Sequence, residues 1–560
     1  MSLLFITIVL AIPALLSWPV GKAMKWAMDP DEPLKGLRGG FTAFFRGVSG
    51  GLIEKEQDWK AYSLSLLLFN TVMFVVVFAI LATQQYLPLN PDGKGALEPS
   101  TIFNTAASFV TNTNLQHYSG EVSMSYLSQL FALMWLQFVS AATGIAALTA
   151  LSRGLSGKPK LGNFYRDLLN AALLVLLPIA IVDATLLVLG GVPMTFHGAA
   201  SAETLEGVTQ TIARGPVAAF VAIKQLGTNG GGWFGPNSTH PFENPTFFTN
   251  IVESVDIVLL AMSSVWMFGR ITKRMRHAAV IFAAMAFMLV CLVGAAVYFE
   301  SAPTQAFTGL PVEHSMNLEG KELRFGSSAG PLWATITTNT SNGSVDAMHD
   351  SLNPLTGLVP LTGMWLNTIF GGVGVGFVNM FIYIIVAVFI CGMMVGRTPE
   401  YLTKKVETRE MKLALLALLV HPFLILLGTA IFSMTPWGTA TVLNPGAHGF
   451  SEILYEFSSA AANNGSGFEG LGDATVPWNV ATGLVMLLAR YIPIILPLAI
   501  AGSLAVKKPA PVTAGTLGTD TLLFGFVILG TIVLIGALLF MPVAVLGPIN
   551  EYVTSAAMYK

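Results

Sequence analysis

The sequence predicts an all-α polytopic membrane protein. Its ten transmembrane helices include four pseudo-symmetric units, each made of a helix, a short re-entrant helix and a second helix. Three observations support this fold class. The 560 residues are 53% hydrophobic and only 11% charged, whereas soluble domains carry about a quarter charged residues. The second observation is a series of long apolar runs, and the third is a polar loop that recurs four times.

Ten apolar runs are long enough to cross a membrane, since a transmembrane helix needs about 20 apolar residues. The seventh run is too long for one simple helix, so we expect it to be interrupted. Cys291 and Cys391 both fall in apolar runs, and we expect buried thiols there. The runs are residues 2–21, 61–86, 124–152, 165–190, 246–268, 278–300, 352–396, 412–435, 474–505 and 520–547.

Lysine and arginine residues collect in one set of loops, which indicates the orientation of the chain. The loops after the first, third, fifth, seventh and ninth runs, counted with Arg166 and Lys412 at the start of the runs that follow them, hold 22 of the 29. Because loops rich in these residues stay on the cytoplasmic side, both termini are predicted to lie outside. The net charge of −2 provides no basic face of the kind that binds nucleic acid. The lipid bilayer is therefore an expected partner and nucleic acid is not.

The recurring feature is a short apolar segment followed by a polar loop rich in asparagine and glycine. The segment "GPVAAFVAIKQL" at 215–226 is about 12 residues long, which lets it dip into a bilayer but not cross it. Each copy follows one apolar run and precedes the next on the predicted outer side. Aligned on their asparagines, which are 117, 113 and 122 residues apart, the four loops are residues 111–114, 228–231, 341–344 and 463–466.

These loops have the composition of a site for a weakly hydrated monovalent cation. Irregular backbone at membrane depth is tolerated only where protein buries it or where it lines a water-filled cavity, and four copies satisfy this by facing a common axis. Glycine at the third position of three copies permits positive φ, so carbonyl oxygens can replace an ion's water shell. The loops hold no acidic residue, which suits a monovalent ion. One such loop is usually only a turn, but its fourfold repetition favours a pore.

Seven strings of the sequence, collinear over nearly the whole chain, resemble the KdpA-type potassium-binding subunit of the bacterial Kdp potassium pump. This family lies in the superfamily of potassium transporters related to potassium channels. The strings are "SFVTNTNLQHYSGE", "LGTNGGGWFGPNSTHPFENP", "NLEGKELRFG", "AMHDS", "GRTPEYLTKKVETREMK", "LNPGAHGFSE" and "AGSLAVKK". The resemblance implies a multi-pass subunit of the bacterial cytoplasmic (inner) membrane, in complex with a P-type ATPase catalytic subunit and two small single-span subunits.

The resemblance also implies a division of the chain into six parts. Four of them are pore units, and an extra helix lies at each end. The parts are an N-terminal helix and cytoplasmic segment at 1–60, pore units at 61–164, 165–277, 278–411 and 412–510, and a C-terminal helix at 511–560.

Carried over by motif, the resemblance implies a site for the transported potassium ion in the four loops. Each loop contributes three residues. They are Thr111, Asn112 and Thr113 in the first loop, Thr228, Asn229 and Gly230 in the second, Ser341, Asn342 and Gly343 in the third, and Asn463, Asn464 and Gly465 in the fourth.

The stretch "FGGVGVGF" at 370–377 contains Gly371, Gly372, Gly374 and Gly376. Each glycine weakens a helix by about 1 kcal/mol relative to alanine. As the second helix of the third unit, the stretch resembles the broken helix that obstructs the pore in this superfamily. We expect a gate here, and close helix packing is the alternative.

Arg490 is the only basic residue deep inside a predicted run. Charged side chains at such depth are costly by several kcal/mol and face a cavity or a partner. We expect a fixed positive charge that tunes ion occupancy, and a structural ion pair is the alternative.

The sequence contains neither a Walker A run nor an Asp-Lys-Thr-Gly phosphorylation motif, so we expect no ATP site in this chain. The favoured function is the ion-selecting subunit of an ATP-driven, high-affinity potassium uptake complex, energised by another subunit. A stand-alone potassium channel or symporter of the same superfamily is the alternative. A membrane-bound enzyme would need a catalytic cluster, which the sequence does not offer.

Overall fold

A computed structural model of the chain describes residues 2–29, 36–304, 311, 316–394, 396, 398–511 and 518–558. Within these ranges ten helices are long and apolar enough to cross a membrane, which confirms the predicted number. The ten spans are Leu3–Met28, Trp59–Tyr86, Ser128–Leu155, Phe164–Leu189, Phe247–Ile271, Met275–Glu300, Val375–Met394, Thr408–Ser433, Val476–Ala505 and Leu522–Ser555.

Helices dominate the described chain, and π-helical turns at Ser128–Met134, Ala171–Leu176 and Val545–Ile549 continue three of the spans. The helices are α1 (Ser2–Met28), α2 (Gly36–Val48), α3 (Trp59–Thr83), α4 (Pro99–Val110), α5 (Gly120–Ser123), α6 (Trp135–Leu155), α7 (Phe164–Asn170), α8 (Leu177–Leu189), α9 (Val217–Leu226), α10 (Phe247–Ile271), α11 (Met275–Glu300), α12 (Ala329–Asn339), α13 (Pro354–Leu366), α14 (Val375–Met394), α15 (Thr408–Ser433), α16 (Pro436–Thr439), α17 (Ala447–Ala462), α18 (Val476–Ala505), α19 (Leu522–Ala544) and α20 (Asn550–Met558).

Two small antiparallel hairpins lie between helices. In the first, β1 (Ala200–Glu203) pairs with β2 (Thr209–Ile212). In the second, β3 (Glu400–Tyr401) pairs with β4 (Lys404–Lys405). The hairpins therefore connect membrane helices and do not form a sheet core.

Polar side chains at the helix starts satisfy amides that lack a partner in the first turn. The Asp58 carboxylate accepts a hydrogen bond of 2.9 Å from the Ala61 amide before α3, and Thr521 caps α19 in the same way. Thr246 and Thr249 form a reciprocal capping box at the start of α10. These caps fix the residue at which each apolar helix begins.

The four helices α4, α9, α12 and α17 lie where the sequence predicts re-entrant segments. They contain 10 to 16 residues, so at 1.5 Å per residue none can span a hydrocarbon core of about 30 Å. Most of their side chains are buried. Protein therefore encloses these helices, which is the condition for polar backbone at membrane depth.

Burial divides the ten spans into an inner and an outer set. Four spans follow the short helices, and they contain α6, α10, α14 and α18. In these spans, 61% to 83% of the most apolar stretch of 18 residues is buried. In the other six spans the buried share is 22% to 39%. Each unit therefore contributes one outer helix, one short helix and one inner helix to the pseudo-symmetric arrangement.

The seventh apolar run is broken, as its length predicts. Helix α13 ends at Leu366 and α14 begins at Val375. Asn367 and Phe370 adopt positive φ of 47° and 63°, a conformation that cannot continue a right-handed helix. The break thus begins at an asparagine, four residues before the first glycine pair.

The prediction of buried thiols was wrong. Cys291 is exposed and Cys391 is half-buried. An apolar side chain in a membrane span can face lipid as favourably as protein. An apolar run therefore predicts membrane insertion but does not predict which of its side chains lie in the protein core.

Candidate ion-binding site

Asparagine side chains join each polar loop to the next. The Asn112 amide group of the first loop donates to the carbonyl oxygens of Gly227 and Thr228, at 3.1 and 2.8 Å. The Asn342 amide group of the third loop donates to two carbonyl oxygens near the end of α9. The second loop is therefore held by amides from both of its neighbours.

Two asparagines of the fourth loop complete the circle. The Asn464 amide group donates to the Thr337 carbonyl on α12 at 3.0 Å. The Asn463 amide group donates to the Thr113 hydroxyl in the first loop, also at 3.0 Å. The four loops consequently form a closed ring, which we call the loop ring and define as residues 111–114, 228–231, 341–344 and 463–466. Residues 350 positions apart in sequence are hydrogen-bonded to each other there.

All four loops share one backbone geometry. Two residues in each loop have positive φ, and one residue separates them. Because the side chains at these positions differ, the shared feature is conformation and not sequence identity. The pairs are Asn112 and Asn114, Thr228 and Gly230, Ser341 and Gly343, and Asn463 and Gly465, with φ between 48° and 106°.

This geometry corrects the alignment of the first loop by one residue. The Thr113 amide donates to the Ser108 carbonyl, five residues earlier, at 2.9 Å. The Asn229 amide makes the equivalent hydrogen bond to the Lys224 carbonyl at 2.8 Å, and the third and fourth loops repeat it. Thr113 is therefore the structural equivalent of Asn229, whereas the sequence alignment matches Asn112 to that position.

The correction moves Thr111 to the C-cap of α4 and makes Asn114 the structural equivalent of Gly230. Asparagine is the non-glycine residue that best tolerates positive φ, so it can replace glycine at this position. The Asn114 side chain is 2% exposed, and neither its amide nitrogen nor its oxygen has a hydrogen-bond partner within the described residues. Sequence reasoning missed Asn114, although the asparagine pair in "TNTN" was the available signal.

Neighbouring loops approach each other backbone to backbone. A Cβ atom on Gly230 would collide with the Asn342 carbonyl, and one on Gly343 would collide with the Asn464 carbonyl. The fourth loop approaches the first in the same way. Glycine is therefore required at these positions both for space and for its positive φ.

Buried polar groups hold the second loop from behind. Lys224 and Glu243 are fully buried and form an ion pair, and the Lys224 ammonium also donates to the Asn237 side chain at 2.6 Å. The Asn237 amide group in turn donates to the Gly230 carbonyl at 2.7 Å. This chain of contacts fixes one ring carbonyl, and the sequence pattern alone does not assign this role to Asn237.

Residues 367–374, which we call the broken segment, are hydrogen-bonded to the loop ring. The Asn367 side-chain oxygen accepts from the Ser341 hydroxyl at 2.8 Å, and its amide group donates to the Ala462 carbonyl at 3.2 Å. The Val373 amide donates to the Thr228 hydroxyl at 2.9 Å. The broken segment therefore contacts three of the four units at the ends of their short helices.

The four predicted gate glycines have different local roles. Gly371 and Gly374 adopt positive φ of 58° and 78°. Gly372 faces the ring with room for a small side chain, whereas a Cβ on Gly376 would collide with the Phe370 carbonyl. Three of these positions thus depend on glycine because of backbone geometry or close approach.

Arg490 lies on α18 and lines a cavity beside the loop ring. It is 4% exposed, and within the described residues it forms no ion pair and no hydrogen bond. The cavity therefore joins a buried cationic side chain to groups of both the ring and the broken segment. Polar groups and glycine that line it with Arg490 include Ser341, Asn367, Gly372 and Asn463.

Comparisons with known proteins agree over nearly the whole chain. The model of the KdpA family, described as "Potassium-transporting ATPase A subunit", matches residues 7–553. A protein of Caldanaerobacter subterraneus subsp. tengcongensis named "Potassium-transporting ATPase potassium-binding subunit" is 50% identical over 514 residues, which are 91% of this chain and 92% of the relative. A Geobacillus kaustophilus protein of the same name is 47% identical over 551 residues, 98% of each chain.

Among solved structures, the potassium transporter TrkH from Vibrio parahaemolyticus is similar with a TM-score of 0.49 and 14% identity, covering 88% of this chain and 97% of that chain. The sequence matches extend through all ten spans and all four loops. On their strength, the chain belongs to the KdpA family of potassium-transporting ATPase A subunits.

Proposed function

We propose that this chain selects potassium ions in the loop ring and passes them on within an ATP-driven, high-affinity uptake complex. The closure of the ring is the observation that carries this proposal. Four loops with one backbone geometry, joined by asparagine amides, can offer oxygen atoms to a single ion from four directions.

Partial charges, and not carboxylates, would stabilise the ion in the ring. The loops contain no acidic side chain, and the C-terminal ends of the four short helices add partial negative charge. A weak field of this kind suits a large monovalent cation, since sites for divalent ions usually include carboxylate ligands. The proposed ligand-bearing residues are Thr111, Asn112, Thr113, Asn114, Thr228, Asn229, Gly230, Ser341, Asn342, Gly343, Asn463, Asn464 and Gly465.

The broken segment is the proposed gate. Its hydrogen bonds to the short-helix ends of three units support a location directly behind the ring. Gly371, Gly374 and Gly376 allow its compact path between α13 and α14. An ion leaving the ring for the Arg490 cavity would have to displace this segment or pass beside it.

Energy for uptake would come from a partner, because the sequence offers this chain no nucleotide site. The relatives' names identify them as subunits of potassium-transporting ATPases. We infer a complex with a P-type catalytic subunit and two small single-span subunits in the bacterial inner membrane, with both termini outside. Family membership supports this function over a stand-alone channel or symporter.

The test is reconstitution of the whole complex into lipid vesicles. We expect ATP-dependent potassium accumulation and potassium-stimulated ATP hydrolysis from the complex. This chain alone should do neither. If the purified chain conducted or accumulated potassium without other subunits, it would be a channel or symporter, and the proposal would be wrong.

Replacing Arg490 with glutamine tests the proposed fixed charge. A unit positive charge several ångströms from a potassium ion repels it by about 2 kcal/mol at an effective dielectric constant near 20. This repulsion is stronger for an ion in the cavity beside Arg490 than for an ion in the ring, so it opposes exit into the cavity. Without it, ions should leave the ring more readily. We expect the potassium concentration for half-maximal ATP hydrolysis to rise severalfold in Arg490→Gln and to change little in Arg490→Lys. Identical potassium dependence in wild-type and Arg490→Gln complexes would exclude this role.

A further inference from the structure

Three ionisable side chains outside the proposed ion path converge beside the first loop. His117 follows that loop, Glu456 lies on α17, and Asp473 precedes α18. The His117 Nε2 atom is 3.1 Å from Glu456 Oε1 and 3.7 Å from Asp473 Oδ2. All three candidate ligand atoms lie within 4.8 Å of one another. We call these residues the His117 cluster.

The hydrogen bonds of Asn479 determine which His117 nitrogen carries hydrogen. The Asn479 amide group donates to the hydroxyls of Ser100 and Thr101, so its oxygen is the atom that faces His117 Nδ1 at 2.7 Å. Nδ1 must therefore donate, and Nε2 is directed at the two carboxylates. Metal-ligating histidines show the same arrangement, with one nitrogen on the metal and the other donating to an oxygen.

The distances in the His117 cluster match a tetrahedral zinc site. Zinc bonds of 2.0–2.2 Å to nitrogen and oxygen separate neighbouring ligand atoms by about 3.3–3.6 Å. The separations of 3.1 and 3.7 Å differ from that range by only a few tenths of an ångström. Ca²⁺ and Mg²⁺ prefer sites built from oxygen ligands alone, whereas imidazole with carboxylates suits zinc.

The charge of the His117 cluster also favours a divalent cation. Within the described residues, Glu456 accepts a side-chain hydrogen bond only from His117, and no side chain donates a hydrogen bond to Asp473. Burial alone would lower the pKa of His117, but Asp473 and Glu456 outweigh it and raise that pKa to about 9. The protonated cluster therefore carries one net negative charge. Zn²⁺ in place of the Nε2 proton would make it neutral.

We propose that His117, Glu456 and Asp473 form a zinc-binding site, with water as the fourth ligand. His117 and Glu456 are buried, while the Asp473 side chain is 26% exposed and gives the ion access from solvent. The site would join the chain that leaves the first loop to the short helix of the fourth unit. Zinc would thereby stiffen the junction at which the loop ring closes.

A second histidine cluster provides a matched contrast. His448 Nδ1 lies 2.9 Å from Glu551 and Nε2 lies 2.9 Å from Asp350. Both nitrogens therefore donate to carboxylates, which raise the pKa of His448 to about 10 although burial alone would lower it. The third acidic residue of this cluster is Glu452, and both of its carboxylate oxygens already accept backbone hydrogen bonds. This cluster is a charged hydrogen-bonded group without a nitrogen free for metal.

The test is zinc titration of the purified complex after removal of bound metal with EDTA. Bound Zn²⁺ is measured at pH 6, 7 and 8 by calorimetry and by competition with a fluorescent zinc indicator. We expect the wild-type complex to bind one more zinc ion than the His117→Gln complex. Glu456→Gln and Asp473→Asn should weaken that site at least about tenfold, the loss that even an outer-shell change can cause. His448→Gln should keep wild-type zinc binding.

The pH series distinguishes a metal site from a simple ion pair. Because zinc takes the place of the proton on Nε2, its affinity should rise as the pH is raised from 6 to 8. Mg²⁺ at the same concentration should not compete. Equal zinc binding by the wild-type and His117→Gln complexes would overturn the proposal. If His117→Gln does not assemble, Asp473→Asn decides in its place, because the Asp473 side chain is partly exposed. Unchanged zinc binding in that variant would likewise overturn the proposal.

Discussion

Gly230→Asp is expected to weaken apparent potassium affinity at least tenfold and to reduce discrimination among potassium, rubidium and sodium. A non-glycine residue at positive φ costs about 1–2 kcal/mol, and each 1.4 kcal/mol corresponds to tenfold in affinity. The new Cβ would also collide with the Asn342 carbonyl. The carboxylate would add a full negative charge to a ring that holds none. The measurement is ATP hydrolysis of the complex as a function of each cation.

Two further variants separate the contributions to this result. Gly230→Ala keeps the steric conflict but adds no charge, so it should lower affinity while changing ion preference less than aspartate does. Gly207→Asp is the matched control, because Gly207 has a similar φ of 77° with nothing near its Cβ position. It lies in the exposed turn between β1 and β2 and should leave potassium dependence unchanged. Wild-type selectivity in an assembled Gly230→Asp complex would remove Gly230 from the proposed site.

Deleting Val373, Gly374 and Val375 is expected to make vesicles containing the complex leak potassium without ATP. In its proposed role as the gate, the broken segment covers the exit from the loop ring with the eight residues between α13 and α14. The deletion removes two of these residues together with the first residue of α14. The bond from the Val373 amide to the Thr228 hydroxyl would be lost. The measurement is passive ⁸⁶Rb⁺ flux, since rubidium serves as a tracer for potassium.

A deletion of equal length in an exposed turn controls for general damage. Residues 205–207 lie between β1 and β2, and Leu205 is fully exposed, so their removal should leave the vesicles tight. Potassium-dependent ATP hydrolysis in both deletion complexes checks that the ring still binds ions. Tight vesicles and normal pumping in the 373–375 deletion would show that the broken segment is packing and not a gate.

Spans and loops could be predicted because they depend on local composition. Apolar length indicates a membrane helix regardless of its neighbours, and the excess length of residues 352–396 indicated the break between α13 and α14. The four polar loops stood out because polar backbone is rare among such helices. Exposure of Cys291 could not be predicted in this way, since lipid and protein core select the same apolar side chains.

The register of the first loop illustrates a different limit. An alignment of identical residue types pairs Asn112 with Asn229. In the structure, however, the loops correspond by their backbone φ angles, and Asn114 has the conformation of Gly230. Similarly, the contact between His117 and Glu456 joins residues 339 positions apart. No periodicity or local propensity encodes such a pair, because it exists only once the first and fourth units meet.

The hydrogen bonds that join the broken segment to the loop ring and to the ends of the short helices also have a consequence for spontaneous opening. Displacing the segment breaks four hydrogen bonds, from Ser341, from the Val373 and Gly371 amides and from Asn367. In the proposed gate, these hydrogen bonds, at about 0.5–1.5 kcal/mol each, would favour the closed position by roughly 2–6 kcal/mol. An energy gap of this size leaves an open minority of a few per cent or less. The segment would then behave as a latch that thermal motion releases rarely and that a modest push from a partner can hold open.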